Sequence, residues 1–285
     1  MAPSEPGTLY VVATPIGNLQ DMSVRGAEIL RGVAAIACED TRHSAVLLQH
    51  LGISTKTVAL HDFNEDRAAA ALLARLVAGE NIALISDAGT PLVSDPGFRL
   101  VRGAHERGIP VRAVPGASAV IAALSVSGLP TDRFSFEGFP PPKTSARRRL
   151  FESLAADPRT LIFYESAHRI HDCLMDMTQV FGTGRPATLA RELTKRFEAV
   201  HCATLGELRA WLDADRDRLR GEFVVLVGGA TEDDLRAQRQ EQGRALLDAL
   251  RPYMSTAQAV ALAHRTTHAD RNDLYQYALE HPQAD

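Results

Sequence analysis

The sequence predicts an α/β protein made of two consecutive α/β units followed by a short helical module. Three observations carry that expectation. In the first half, short β-rich apolar runs alternate with stretches that place apolar residues at helical spacing. From Phe134 a second set of strand-like runs begins, and after Gly229 the chain turns charged and strand-poor. With 285 residues, 45% hydrophobic and 23% charged, the chain is long enough for two cores and too apolar to be disordered.

The elements follow in order. Leu9 to Ala13, Ala34 to Cys38, Thr57 to Leu60, Ile82 to Ser86 and Ile109 to Val114 read as strands, with Glu65 to Leu76 and Gly97 to Glu106 as helices between them. Connections of this length accommodate crossover helices, so the first unit, 7–128, should hold a mostly parallel sheet covered on both faces. Ser127 to Asp132, with Gly128 and Pro130, reads as a link. The second unit, 132–229, has its clearest strands at Leu161 to Tyr164, Ala187 to Ala190, Glu198 to Cys202 and Glu222 to Val227. The tail, 232–285, offers helices at Glu241 to Leu250, Thr256 to His264 and Arg271 to Glu280. Ser255 with Gln258 forms a capping-box pattern, and Asp270 is placed to cap the last helix.

Composition excludes several classes. A formal net charge of -4 rules out a polybasic chain, so any nucleic-acid contact must come from a local basic patch. Cys38, Cys173 and Cys202 are far apart and lack the paired spacing of a zinc site or redox couple, so they read as reduced thiols and no metal is expected. Met1 to Gly7 shows no basic start followed by an apolar run, and no apolar stretch approaches membrane-spanning length. The expected location is the cytoplasm, with no membrane partner.

Several strands run into clusters of Gly, Pro, Asp or Ser: TPIGNL at Thr14 to Leu19, CEDTRH at Cys38 to His43, SDAGTPLVSDPG at Ser86 to Gly97, VPGASA at Val114 to Ala119 and FYESAHR at Phe163 to Arg169. In an open α/β sheet the ligand lies beyond the carboxyl ends of the strands. Glycine there permits close backbone approach, while Ser or Asp supplies hydrogen bonds. No GxGxxG loop follows the first strand, no GxxxxGK is present, and Pro15 removes a backbone donor from the first loop. The ligand implied is polar without being phosphate-rich.

TPIGNL, SDAGTP, VPGASA, FYES and ARELTK, in that order, resemble the tetrapyrrole-methylase-like (class III methyltransferase) superfamily. More narrowly, EDTRH, SDAGTP with DPG, EGFPPPK and LIFYESAHR resemble the ribosomal RNA small-subunit methyltransferase I family, from about Gly7 to Gly229 and more weakly through the tail. The resemblance implies S-adenosyl-L-methionine folded in a cleft between two α/β domains. Residue by residue, it places Pro15 and Ile16 on the floor, Asp87, Gly89, Thr90 and Val93 in one loop, Ser118 and Ala119 in another, and Tyr164 and Ala190 near the adenine. Taken singly, Ile16 and Val93 also fit a core, Gly89 and Thr90 a turn, and Ser118 a helix cap.

The narrower motifs imply 2'-O-methylation of a cytidine in small-subunit (16S) ribosomal RNA near the decoding centre. The partner would be that RNA or the assembled small ribosomal subunit, and the resemblance is compatible with a homodimer. Glu165 and Lys195 are the candidates for a base that takes the hydroxyl proton, beside Arg169, Arg191 and Arg196; each acid could equally be an ion pair that positions a loop. For a lysine base the pKa must fall through burial or cationic neighbours. Lys143, Arg147, Arg148 and Arg149 follow the Pro140 to Pro142 stretch, open a helix and form the candidate RNA patch, or else a solvated surface. The tail resembles a helix-turn-helix-like module, yet Asp270 and Asp273 flank Arg271 and Asn272, and a helical hairpin packed on the body fits as well. A methylase of a tetrapyrrole-like small molecule, a non-catalytic RNA-binding assembly factor and a tail-driven DNA-binding regulator are the rivals.

Overall fold

The computed structural model describes residues 5–282. Residues 1–4 of the Met1 to Gly7 start, and 283–285 at the end of the tail, lie outside the described residues. Strands β1 (Leu9–Val12), β2 (Ala35–Cys38), β3 (Thr57–Ala59), β4 (Ile82–Leu84) and β5 (Val111–Val114) form a five-stranded sheet in the order β3-β2-β4-β1-β5. Every pairing in it is parallel. The carboxyl ends of all five strands therefore share one edge. Ile109 falls outside β5 because its amide donates to the carbonyl of Ala104 at 3.0 Å and closes the preceding helix.

Both faces are covered, as runs of apolar residues in parallel strands require. Helices α1 (Val24–Gly32) and α2 (Thr41–His50) pack Leu30 and Leu48 against Val12, Ile36 and Cys38. On the other face α3 (Glu65–Val77) and α4 (Phe98–Glu106) pack Leu72, Leu76 and Leu100 against Leu9, Ile82 and Leu84. Leu76 and Leu100 have no solvent exposure. Truncating either to Ala should cost about 2–5 kcal/mol.

The second sheet comprises β6 (Phe134–Gly138), β7 (Thr160–Ser166), β8 (Pro186–Arg191), β9 (Ala199–Thr204) and β10 (Glu222–Val227) in the order β6-β7-β10-β8-β9. It is mixed: β6 runs parallel to β7, and the other pairings are antiparallel. Because β7 and β8 both oppose β10, their carboxyl ends meet its start, with Glu222 opposite Ser166 and Phe223 opposite Arg191. Helices α6 (Thr144–Leu154), α7 (Ile170–Phe181) and α8 (Leu205–Asp213) cover one face through Phe151, Leu174 and Leu208. The other face takes α5 (Ala119–Val126), whose Val120, Ala123 and Leu124 pack on Ile162, Ala190 and Val224. By sequence α5 belongs to the first segment, yet it packs on the second sheet. Thr188 reinforces that docking by donating its hydroxyl to the Ser127 carbonyl at 2.7 Å.

The tail forms three helices around a core of its own that includes Leu247, Val260 and Leu274: α9 (Glu232–Leu250), α10 (Thr256–Thr267) and α11 (Arg271–Glu280). The sequence places the start of α9 at Glu241; the helix begins nine residues earlier, at Glu232, because Thr231 and Asp234 make a capping box there. The Ser255 and Gln258 capping box is present, and Asp270 caps α11 by accepting from the amides of Asn272 and Asp273. No described helix is long and apolar enough to cross a membrane.

Candidate active site between the two sheets

Where the carboxyl edge of the first sheet faces the edge of the second carrying Ser166, Arg191 and Glu222, a cavity of about 340 Å³ opens. From the first sheet its wall takes Ile16, Gly89, Thr90 and Val93, and from the start of α5 it takes Ser118 and Ala119. Tyr164 and Ala190 close it from the second sheet. Pro15 and Asp87 line a second cavity, of about 300 Å³, that shares Ile16, Ala88 and Glu222 with the first. The residues proposed for cofactor contact thus gather around two adjoining spaces.

Local chemistry explains the arrangement. Thr14 and Gly89 form an isolated antiparallel bridge, amide to carbonyl in both directions at 2.8 and 3.1 Å, tying the first loop to the loop after β4. Ser86 adds a hydroxyl bond to the Gly89 carbonyl at 3.0 Å. Gly89 has φ +82°, in the left-handed region that glycine enters without cost, and a Cβ there would sit 3.1 Å from Cγ2 of Ile16. Ser118 stands at the N-cap of α5 but makes no side-chain cap bond, which leaves its hydroxyl available to a ligand. Thr90 donates to the Ala117 carbonyl at 3.1 Å and so pins the two loops together.

Tyr164 and Phe139 meet edge to face with centroids 5.5 Å apart, making an aromatic wall. Burial pushes the Tyr164 phenol up to about 12, so it stays neutral and cannot act as a base. Sequence reasoning missed Phe139 and Asp95, although both lie inside quoted strings. Burial first, then the charge of Glu39, pushes Asp95 up to about 6; a Ser86 hydrogen bond pulls the other way, and Asp87 adds repulsion. Glu39 is raised as well, by burial and by Asp87. Carboxylates crowded at one edge fit a ligand that carries positive charge, as a sulfonium with an ammonium group does.

Both expected proton acceptors need correction. Glu165 alternates with Tyr164 along β7, so its side chain lies on the α7 side of the sheet. Although Glu165 is among the residues around the cavity, its side chain has no exposure, and its oxygens accept from the Ser166 amide at 2.8 Å and from Arg169 at 3.1 Å. That is an ion pair positioning a loop. Lys195 is pulled down by burial, but hydrogen bonds to Glu222 at 2.7 Å and Glu192 at 3.0 Å outweigh this and hold it above the ordinary ammonium value. A lysine kept charged in this way is no base.

The basic patch also divides. Arg147 is only 2% exposed and places Nε and Nη2 at 2.7 and 2.5 Å from the fully buried Asp176, so the expected phosphate contact is replaced by a core ion pair. Arg148 bonds the other oxygen of Asp176 at 2.7 Å. Lys143 and Arg149 are exposed and remain free to meet RNA. Among the described residues no group of three or more His, Cys, Asp or Glu is arranged to hold a metal.

Comparison with known proteins fits this geometry. Residues 8–209 match the family described as Tetrapyrrole (Corrin/Porphyrin) Methylases, and residues 237–282 match the RsmI C-terminal HTH domain. A uroporphyrin-III C-methyltransferase from Thermus thermophilus, solved with S-adenosyl homocysteine, aligns with TM-score 0.54 and 19% identity, covering 78% of this chain and 97% of that one. A diphthine synthase aligns with TM-score 0.57 and 16% identity over 80% and 92%. These likenesses show the class III methyltransferase fold. Among sequence relatives, ribosomal RNA small subunit methyltransferase I of Xylella fastidiosa (strain Temecula1) is 52% identical over 95% of this chain and 99% of its own length. The protein of the same name from Escherichia coli O157:H7 is 51% identical over 98% and 97%. Identity at this level, sustained through both sheets and the helical tail, means that the chain belongs to the ribosomal RNA small subunit methyltransferase I family.

Proposed function

We propose that this protein transfers a methyl group from S-adenosyl-L-methionine to the 2'-hydroxyl of a cytidine in small-subunit ribosomal RNA, near the decoding centre. The observation that carries the reading is the identity to proteins of that name through the whole chain, tail included. The solved tetrapyrrole enzymes cover 78% of the chain, and the same fold serves other substrates, so the fold alone does not choose RNA.

The cofactor, when bound, supplies a methyl group already activated on sulfonium. The chain's residues then have to bind, align and exclude water. Ile16, Val93, Ala119 and Ala190 give the cavity apolar walls, and Tyr164 with Phe139 offers rings to an adenine. Gly89 brings its backbone close to the ligand, with Ser118 presenting a free hydroxyl. Asp95 and Asp87, which line the two cavities, place negative charge where the ligand is cationic. Asp95, which lines the cavity, takes the proton of the attacking hydroxyl as methyl transfer proceeds, since a value of about 6 leaves it mostly ionised at neutral pH and near the working pH, where a general base is most useful. Lys195, protonated and paired with Glu192 and Glu222, holds the β8–β9 loop over Gly17. Lys143 and Arg149, exposed at the start of α6, offer further positive charge to the RNA.

On this reading the protein works in the cytoplasm on rRNA or on the assembled small subunit. A homodimer is compatible with this reading, and the residues named for the cleft come from one chain. Transfer of radiolabelled methyl from S-adenosylmethionine, offered in parallel to unmodified small subunits and to a tetrapyrrole precursor, tests the substrate class. Label in the RNA alone is expected. Label in the tetrapyrrole alone would replace the proposal.

A further inference from the structure

We infer that the loop between β8 and β9 is a grip for unpaired RNA beside the target nucleotide, with Phe197 as a stacking platform and Arg196 as its cation. The inference rests on RNA being the substrate and names how the strand next to the target is held.

Three features converge on this loop. First, the two cavities at the cofactor cleft continue outward. A groove of about 600 Å³ shares Gly17, Leu19 and Lys195 with the second cavity and ends at His50 and Arg196. A strand whose nucleotide enters the cleft would leave along this channel, past Lys195. Second, the loop is held firmly in place. Lys195 lies so close to the first sheet's loop that a Cβ on Gly17 would come within 2.5 Å of its Cγ. Glu192 accepts from the Glu222 amide at 2.9 Å, and Glu198 accepts from the Thr194 amide. Glu192 and Thr194 both adopt left-handed backbone, φ 49° and 65°, a conformation unfavourable for side-chain-bearing residues that surrounding bonds must maintain.

Third, what the loop presents has no work inside the molecule. Phe197 is 63% exposed. Arg196 is exposed too, sits 5.5 Å over the Phe197 ring, and has no acidic partner among the described residues. A tethered loop that offers an exposed ring and, over it, a guanidinium without an acidic partner, at the outer end of a channel from the reaction site, matches the way single strands are bound. Bases stack on aromatic rings, and cations meet the phosphates. Glu222 and Glu192 pair with Lys195 and not with Arg196, whose guanidinium is the loop's cation left for a phosphate.

The test uses the full chain and unmodified small ribosomal subunits. Phe197→Ala should raise the KM for subunits about tenfold or more, the scale of one lost stacking contact. Phe197→Trp should restore it, and S-adenosylmethionine affinity by calorimetry should be unchanged in both. Arg196→Ala should weaken the salt dependence of subunit binding. Because both side chains are exposed, the variants should fold like the parent, as melting will show. If the parent methylates subunits and Phe197→Ala retains the parental KM, the grip is wrong while the substrate reading stands. If the parent methylates no RNA, both fall together.

Discussion

Replacing Gly89 with Ala probes the cofactor loop with the smallest chemical change. The residue sits at φ +82°, where an L-residue is disfavoured by about 1–2 kcal/mol. The new methyl would also stand 3.1 Å from Cγ2 of Ile16, so Ile16 or the loop must yield by a few tenths of an ångström, and both line the cavity. With the bonds from Thr14 and Ser86 resisting movement, the strain passes to the ligand-facing backbone. The expected outcome is a melting temperature lower by roughly 2–8 °C and an affinity for S-adenosylmethionine reduced about tenfold. Gly108→Ala serves as control: it has φ +65° with open space around it, in the turn before β5 at the opposite end of the sheet. It should show a similar thermal loss with unchanged affinity. Calorimetric titration of both variants decides the matter, and Gly89→Ala binding as tightly as Gly108→Ala would remove this loop from the cofactor site.

Other expectations follow from the ion pairs and the acid cluster. Arg147→Ala leaves Asp176 buried with Arg148 as its remaining ion-pair partner and should cost about 3–5 kcal/mol in thermal or chemical unfolding. Arg149→Ala should leave the melting temperature unchanged and reduce RNA affinity at low salt; the reverse pattern would return Arg147 to the RNA surface. For Asp95 the folded value of about 6 lies above the ordinary 3.8, so the folded state holds the proton more tightly. Stability from this group is greatest below about 4 and declines as pH rises through about 6. Asp95→Asn should therefore gain stability over the parent across that window, and lose the rise in methyl-transfer rate that the parent shows as pH passes about 6. A stability difference independent of pH, with a parental rate profile in the variant, would rule Asp95 out as the proton acceptor.

How far the sequence revealed this molecule depended on whether the deciding contacts were local. The first sheet was readable because buried parallel strands are continuous apolar runs punctuated by turn residues, and the loops at their carboxyl ends were readable for the same reason. Helix α5 is apolar nearly all round, so its pattern could not say which sheet it covers; packing on Val224 and Ala190 decided it. Arg147 looked like surface because its partner, Asp176, lies on a different helix, 29 positions away. The charge state of Lys195 turns on Glu222, which an antiparallel register brings into reach from 27 positions on. The early start of α9 escaped notice because its capping box uses Asp234 where Glu or Gln is the usual signature. Asp95 stood inside a quoted motif, yet nothing in the string shows that Glu39 and Asp87 crowd it.

The central claim is that this cleft delivers a methyl group to a ribose oxygen of small-subunit RNA. Nuclease digestion of small subunits methylated in vitro, followed by mass spectrometry of the nucleosides, tests it most directly. One new 2'-O-methylcytidine per subunit is expected, formed about tenfold more slowly when Gly89→Ala is assayed at limiting cofactor. A methyl group found on a base, or RNA left unlabelled by an enzyme that binds S-adenosylmethionine normally, would contradict it.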